Sequence, residues 1–519
     1  MTKRSAIVVG AGTAGSIVAR RLVDAGLEVT LLEAGGQDTS PAIHDPSRLV
    51  ELWHTENDWD HHTVPQEHAG GRRLHLPRGK VLGGSHALNA MIWVRGAAAD
   101  YDHWAALGNE GWSWDDVLPV YKAIEDYSGG PSELRGAGGP LPVDGDYALA
   151  PIQASIIEAA VQEGLERNPD YNGDHLDGVA PQQVTIADGR RVNTWMVYLK
   201  PVQDQVAIET GCHVHSVIVE EGRAVGVRYR QGGVDRELRA DEVVLSAGAL
   251  DSPAILLRSG VGPRTLLEEL GIDVVRDAPG VGENLHDHLL SPVVFTTTRK
   301  RVGPPASGSS ATQSHWFWKS DPSLEVPDTQ PLNFSVPMYG EDLDPTADDG
   351  FSLMAGIVTP RSRGRIRITG ASLEDPLEID LAALEHPDDV RSLVASVRQC
   401  RSVGRRPALV EEWGAVELYP GPDVGDDELE DYVRRTAITY HHQVGTCRMG
   451  VDEEAVVDPR LRVVGVAGLR VIDASIMPRV TTGNTNAPAA LIGELGSRFL
   501  LEDAGVPVPA GALAEPVEA

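Results

Sequence analysis

Residues 5–35 constrain this chain more than any other stretch. Ala6–Val9 is a short apolar run of the kind that forms a buried parallel strand, and Gly10-Ala11-Gly12-Thr13-Ala14-Gly15 follows it directly. A helical pattern then runs from about Ala14 to Ala25, with Ile17, Val18 and Leu22 on one face, and a second strand, Glu28–Leu32, leads into Glu33 and Ala34. This is a complete βαβ dinucleotide fingerprint. Gly10 permits the tight turn, Gly12 lets the backbone approach a pyrophosphate, and Gly15 allows helix to pack closely on strand. The helix start at Thr13 and Ala14 offers free N–H groups and a positive dipole end to the phosphates. Glu33 would accept hydrogen bonds from ribose hydroxyls. The fingerprint does not separate FAD from NAD, since an acid at this position suits the adenosine of either and argues only against NADP.

The rest of the chain reads as two halves, each assembled from separate segments. Segments 1–145, 203–290 and 438–503 carry the glycine-rich turns, strands at Glu242–Ser246 and Leu469–Ile472, and helices from about Ser252 to Arg258 and Asn486 to Leu500. In the first of these helices Ser252 is the expected N-cap and Pro253 the first helical residue. Segments 146–202 and 291–437 have weaker periodicity, with strand patterns at 352–358 and 364–369, a surface segment at Gly303–Ser310 and an acidic loop at Glu341–Gly350. Residues 504–519, rich in Ala, Pro and Gly, read as a frayed tail. The 45 basic and 76 acidic residues leave a net charge of −31, which sets nucleic acid and anionic membrane surfaces aside as partners. No apolar run approaches the ~20 residues of a membrane span. Cys212, Cys400 and Cys447 leave one thiol unpaired, and no Cys/His spacing suggests a metal site. With the first strand beginning almost at Met1, no signal peptide is expected. A cytoplasmic, soluble enzyme is expected.

Five further segments resemble the glucose–methanol–choline (GMC) oxidoreductases, a flavoprotein family. Gly79-Lys80-Val81-Leu82-Gly83-Gly84-Ser85-His86-Ala87-Leu88-Asn89 looks like the family's first signature, and Gly248 through Gly262 matches the second. Gly280 through His288 resembles the segment that follows it. Tyr440-His441-His442-Gln443-Val444-Gly445-Thr446 and Gly468 through Pro488 complete the family's order. The resemblance implies FAD as cofactor and an α/β fold: a discontinuous Rossmann-like FAD-binding domain, with an inserted α+β substrate-binding domain on an antiparallel sheet. It makes Gly83, Gly84, Ser85 and Asn89 part of the flavin loop, sets the backbone at Val214 against adenine, and sets Asp473 near the ribityl–phosphate. It also points the helix at Asn486 toward the isoalloxazine N1/O2 edge. Some relatives link flavin covalently through a His in this loop; the matching position here is Leu88, with His86 two residues before it. Non-covalent FAD is therefore expected.

The resemblance also implies the chemistry. His442, three residues before Gly445, stands where the family has its active-site histidine, and imidazole suits a base that takes a hydroxyl proton near neutral pH. Asn484 stands at the second catalytic position, where a neutral amide bonds the substrate oxygen but takes no proton. His441 replaces an aromatic residue beside the pocket. Relatives that oxidise choline carry a Glu against the ammonium; aligning residues 312–318 puts Gln313 there, which disfavours choline. That alignment has His315 and Trp316, with Trp93, bordering an aromatic pocket for an aryl, allylic or furanic primary alcohol. Oxygen or another acceptor would reoxidise the flavin. The rival implied by the same fold is a cyanohydrin (hydroxynitrile) lyase that uses flavin only structurally.

Overall fold

Ser5–Val9, Glu28–Leu32 and Glu242–Leu245 are short runs dominated by Val, Leu and Ile, the pattern of strands covered on both faces. In the computed structural model, which describes residues 4–340 and 343–509, they form the middle of a five-stranded sheet. Its order is Ala207–Glu209, Glu28–Leu32, Ser5–Val9, Glu242–Leu245, Leu469–Val471, and every neighbouring pair is parallel. The helices Thr13–Asp24 and Asn486–Asp503 pack against each other beside this sheet. A three-stranded antiparallel meander, Cys212–Glu220, Arg223–Gln231 and Val234–Arg239, is attached to it.

A second sheet has seven strands, all antiparallel. The order is Ala415–Tyr419, Leu289–Thr297, Gly350–Ile357, Leu332–Phe334, Thr312–Phe317, Gly178–Pro181, with Ile438–Thr439 also paired to Leu289–Leu290. Successive strand residues point to opposite faces. Phe351, Leu353, Ala355 and Ile357 therefore join one apolar cluster, packed under the helix Pro387–Gly404. Leu290, Leu332, Phe334 and Met354 join another on the far face. That second face becomes a cavity wall. The sheet draws Leu289–Leu290 and Ile438–Thr439 from segments that the sequence assigns to the other half, and Leu74 and Leu76 pack into its core.

One helix differs from its expected start. The second-signature helix spans Gly248–Arg258, so Ser252 and Pro253 lie inside it. Two side chains make this possible. Pro253 has no N–H for the Ala249 carbonyl one turn back; Thr446 Oγ1 donates to that carbonyl instead, at 2.6 Å. Ser252 Oγ leaves the helix to accept the Ala247 N–H at 3.1 Å and donate to Asp473 Oδ2 at 2.6 Å. Near the C-terminus, Val506 N–H bonds the Leu501 carbonyl, and Val506 and Val508 pack on the core of the parallel-sheet half. Residues 510–519 of the expected tail, and Glu341 and Asp342 of the acidic loop, lie outside the described residues. No helix among the described residues is long and apolar enough to cross a membrane.

Candidate active site

The parallel strands end together, and the residues after them open into one large cavity. Gly10 and Gly12 follow the first strand, Glu33 and Ala34 the second, Ser246–Gly248 the fourth and Asp473 the last, and all line it. A crevice at the carboxyl ends of parallel strands is where such sheets bind ligands. Thr13, Ala14, Ser85, Asn89, Val214 and Asn486 line it as well. The glycines make a cradle that side chains would fill. A Cβ on Gly84, whose φ is +53°, would lie 2.6 Å from Gly12 Cα, so the two glycine loops meet backbone to backbone. Gly83, just outside the lining, fixes this contact by donating its N–H to the Ala11 carbonyl at 3.0 Å. Gly15 also stays outside the lining; a Cβ there would sit 2.0 Å from the Gly10 carbonyl oxygen, so its role is close packing of helix on turn.

The helices Thr13–Asp24 and Asn486–Asp503 both start at the cavity with no side chain capping them, and Thr13 Oγ1 donates to Asn486 Oδ1 at 2.8 Å. Two uncapped N-termini aimed at one space are donors in want of an anion. Glu33 spans the same turn. Its Oε2 accepts the Ala11 N–H and its Oε1 the Gly35 N–H, both at 2.8 Å, and burial pushes its pKa up to about 7. Asp473 is held by Gly248, Ser252 and Ser475, and burial raises its pKa too. Backbone donors, a small-residue cradle and a ribose-reaching acid fit a flavin dinucleotide.

His442 and Asn484 meet in the same cavity. Asn484 Nδ2 lies 3.3 Å from His442 Nε2, and His442 Nδ1 lies 3.0 Å from His288 Nδ1. Asp287 Oδ1 accepts the His442 backbone N–H at 2.7 Å, and the Tyr440 ring stacks on His442 with centroids 4.7 Å apart. Burial holds the His442 pKa well below the ordinary 6.5, and His288 falls to about 3 for the same reason. His441 also lines the cavity, edge-on to Trp53, with Nδ1 bonded to Thr439 Oγ1 at 2.6 Å.

Four expected pocket residues lie elsewhere. Gln313 turns to the start of the helix Pro151–Gln162, where its Oε1 accepts the Ala150 N–H at 2.7 Å. Trp316 points to the other face of the sheet and donates to Gln399 Oε1 at 2.8 Å. Trp93 is fully buried in the core around the parallel sheet. His315 sits behind the cavity wall, its Nδ1 3.1 Å from Gln330 Nε2. The wall itself is built by residues that sequence reasoning passed over: Leu290, Leu332, Phe334, Met338, Met354 and Ile438.

A separate group, His54, Asp60 and His75, brings three ligand-type atoms within 4.8 Å. The two imidazoles stack 4.0 Å apart at 23°, and both lie within 3.2 Å of Asp60 Oδ1. An ion bonded to imidazole lies in the ring plane, and two near-parallel planes share no such point.

Comparison with known proteins gives the family. Residues 4–290 and 360–493 match the two GMC oxidoreductase family models. The chain is 37% identical to an oxygen-dependent choline dehydrogenase of Brucella ovis and 36% identical to an alcohol dehydrogenase [acceptor] of Pseudomonas putida. Each alignment covers 95% of both chains. The crystal structure of pyridoxine 4-oxidase from Mesorbium loti superposes with a TM-score of 0.91 at 36% identity, covering 96% of this chain and 99% of that one. The chain belongs to the GMC oxidoreductase family, FAD-dependent enzymes acting on the CH–OH group of alcohols.

Proposed function

We propose that this enzyme oxidises an uncharged primary alcohol with an apolar aryl, allylic or furanic group to the aldehyde. The observation that carries the reading is the wall around Tyr440, whose ring stacks on His442. Leu290, Leu332, Phe334, Met338, Met354 and Ile438 present no ionisable side chain there. A quaternary ammonium would find no carboxylate partner on that wall, whereas an apolar group gains about 25 cal/mol for each Å² it removes from water. The kinship with an alcohol dehydrogenase of Pseudomonas putida fits the reaction class.

His442 is the base. Its buried imidazole is neutral, and Asn484 Nδ2 faces Nε2, so Nε2 carries the lone pair and Nδ1 the hydrogen donated to His288. A substrate hydroxyl at this pair gives its proton to His442 Nε2 while its oxygen accepts from Asn484 Nδ2. FAD, which the glycine cradle of Gly10, Gly12 and Gly84 would hold, would supply the acceptor for the hydride of the carbinol carbon. Charge that develops on the oxygen before its proton has moved is stabilised by the Asn484 N–H, which needs no reorganisation in a buried site. Segments 1–145, 203–290 and 438–503 serve as the FAD-binding domain, and segments 146–202 and 291–437 as the substrate-binding domain. FAD is held without a covalent bond. Leu88 lines the cavity with no nucleophile, and His86 turns to Asn486 and Thr185.

The test is anaerobic bleaching of the flavin by benzyl, cinnamyl and furfuryl alcohols beside choline, followed by reoxidation with oxygen or an artificial acceptor. Faster reduction by choline than by the three apolar alcohols, or bleaching by none of them, defeats the reading.

A further inference from the structure

Asn484 serves the reaction only if the nitrogen end of its amide faces His442. With the amide reversed, Oδ1 would meet the Nε2 lone pair and the substrate oxygen, acceptor against acceptor. The amide needs something behind it to choose, and the structure supplies a donor there. Gln330 Nε2 donates to Asn484 Oδ1 at 3.0 Å and to His315 Nδ1 at 3.1 Å, so both of its hydrogens go to acceptors.

The main chain of Gln330 and the ring of His315 are both held in place. The Gln330 N–H bonds the Gly356 carbonyl at 3.1 Å, and its own carbonyl accepts from Tyr440 Oη at 3.3 Å. The His315 ring is wedged edge-on between Tyr171 and Phe317, with centroids 4.4 and 5.1 Å away. Gln330 and His315 are fully buried, and neither lines the cavity. Burial also lowers the His315 pKa to about 3, which keeps its ring neutral and leaves Nδ1 able to accept.

We propose that Gln330, backed by His315, is a positioning residue that locks the Asn484 amide with Nδ2 toward His442 and so sets the proton arrangement of the base. Without alcohol the bonds run in one sense from Gln330 to Asn484, from Asn484 to His442 Nε2, and from His442 Nδ1–H to His288, and the alcohol hydroxyl takes the place of Asn484 at Nε2. Gln330 thus acts on the alcohol through two other side chains and touches no reactant. The proposal rests on the assignment of His442 and Asn484 as the pair that handles the alcohol.

The test is a double-mutant cycle on the FAD-loaded enzyme: parent, Gln330→Met, Asn484→Ala and the double variant. Gln330→Met keeps length and volume while removing both donated hydrogens. Gln330→Leu, which also withdraws them, stands in if the Met variant fails to fold. The first readout is the rate constant of anaerobic flavin reduction by the best alcohol of the panel. Gln330→Met should lower it at least about tenfold in the parent and less than about twofold beside Asn484→Ala. The second readout, independent of turnover, is the thermal midpoint of the same four proteins, where the two substitutions should be non-additive. An unchanged rate in both Gln330 variants, an equal loss in both backgrounds, or additive midpoints overturns the proposal. A parent that no alcohol bleaches overturns the functional reading along with it, whereas a reducible parent with indifferent variants overturns this proposal alone.

Discussion

Replacing Thr446 by Val tests how a helix carrying an internal proline holds together next to the cofactor cavity. The two side chains have nearly the same shape, so the change removes little more than the Oγ1–H that reaches the Ala249 carbonyl at 2.6 Å. Thr446 is fully buried, so water does not take over that bond. Pro253 has no N–H to offer, and the carbonyl is stranded. A buried polar group left unpaired costs about 1–3 kcal/mol. Pro253→Ala restores an N–H one turn ahead of Ala249, so beside it Thr446→Val should cost less than about 1 kcal/mol. The assay is chemical or thermal unfolding of the four proteins of this cycle with FAD bound. A valine penalty that is the same with proline and with alanine at 253 would refute the account.

Three other outcomes follow from the site. His442→Gln should retain FAD yet slow anaerobic flavin reduction by about 10²–10⁴-fold, the range typical of a lost general base, as stopped-flow absorbance would read. As the proposed base, His442 must be neutral to accept a proton, and burial depresses its pKa. kcat/KM should therefore hold as pH falls past 6.5 and decline only as the pH drops through the lowered value; a steep acid limb at or above 6.5 contradicts the buried neutral imidazole. Denaturing the holoenzyme in acid should free all the yellow colour into the supernatant, and flavin that stays with the pellet would point to a covalent bond.

Much of the architecture was readable because backbone demands restrict residue type. A left-handed φ or a missing Cβ at Gly84 leaves glycine as the residue that fits, so a glycine pattern betrays where loops touch. The strands Glu28–Leu32 and Leu469–Val471 followed from their apolar runs. The Ser252-Pro253 helix start misled because the usual cap reading treats the helix as isolated. Here Thr446, nearly two hundred residues away, supplies the missing donor, so the helix extends back to Gly248.

The alcohol side was hard to read for a different reason. His442, Asn484 and His441 stand in motifs, but an antiparallel sheet assigns its faces by register, and no motif marks that. His315 and Trp316 are consecutive in one strand, so they could never border the same pocket: one backs onto Gln330 and the other onto Gln399. An irregularity in the pairing between Thr312 and Ser314 shifts the register at Gln313 itself. Leu290 and Met354 look in sequence like any core residue, because their apolar character would serve a core equally well. They line the cavity only because the strands Leu289–Thr297 and Gly350–Ile357 turn one face to the helix Pro387–Gly404 and the other to the cavity. Which strand residues reach the cavity is therefore set by sheet parity. A single-residue insertion before Met354 in its strand should exchange the two faces and change the alcohol accepted, while the glycine cradle proposed for FAD lies on other elements.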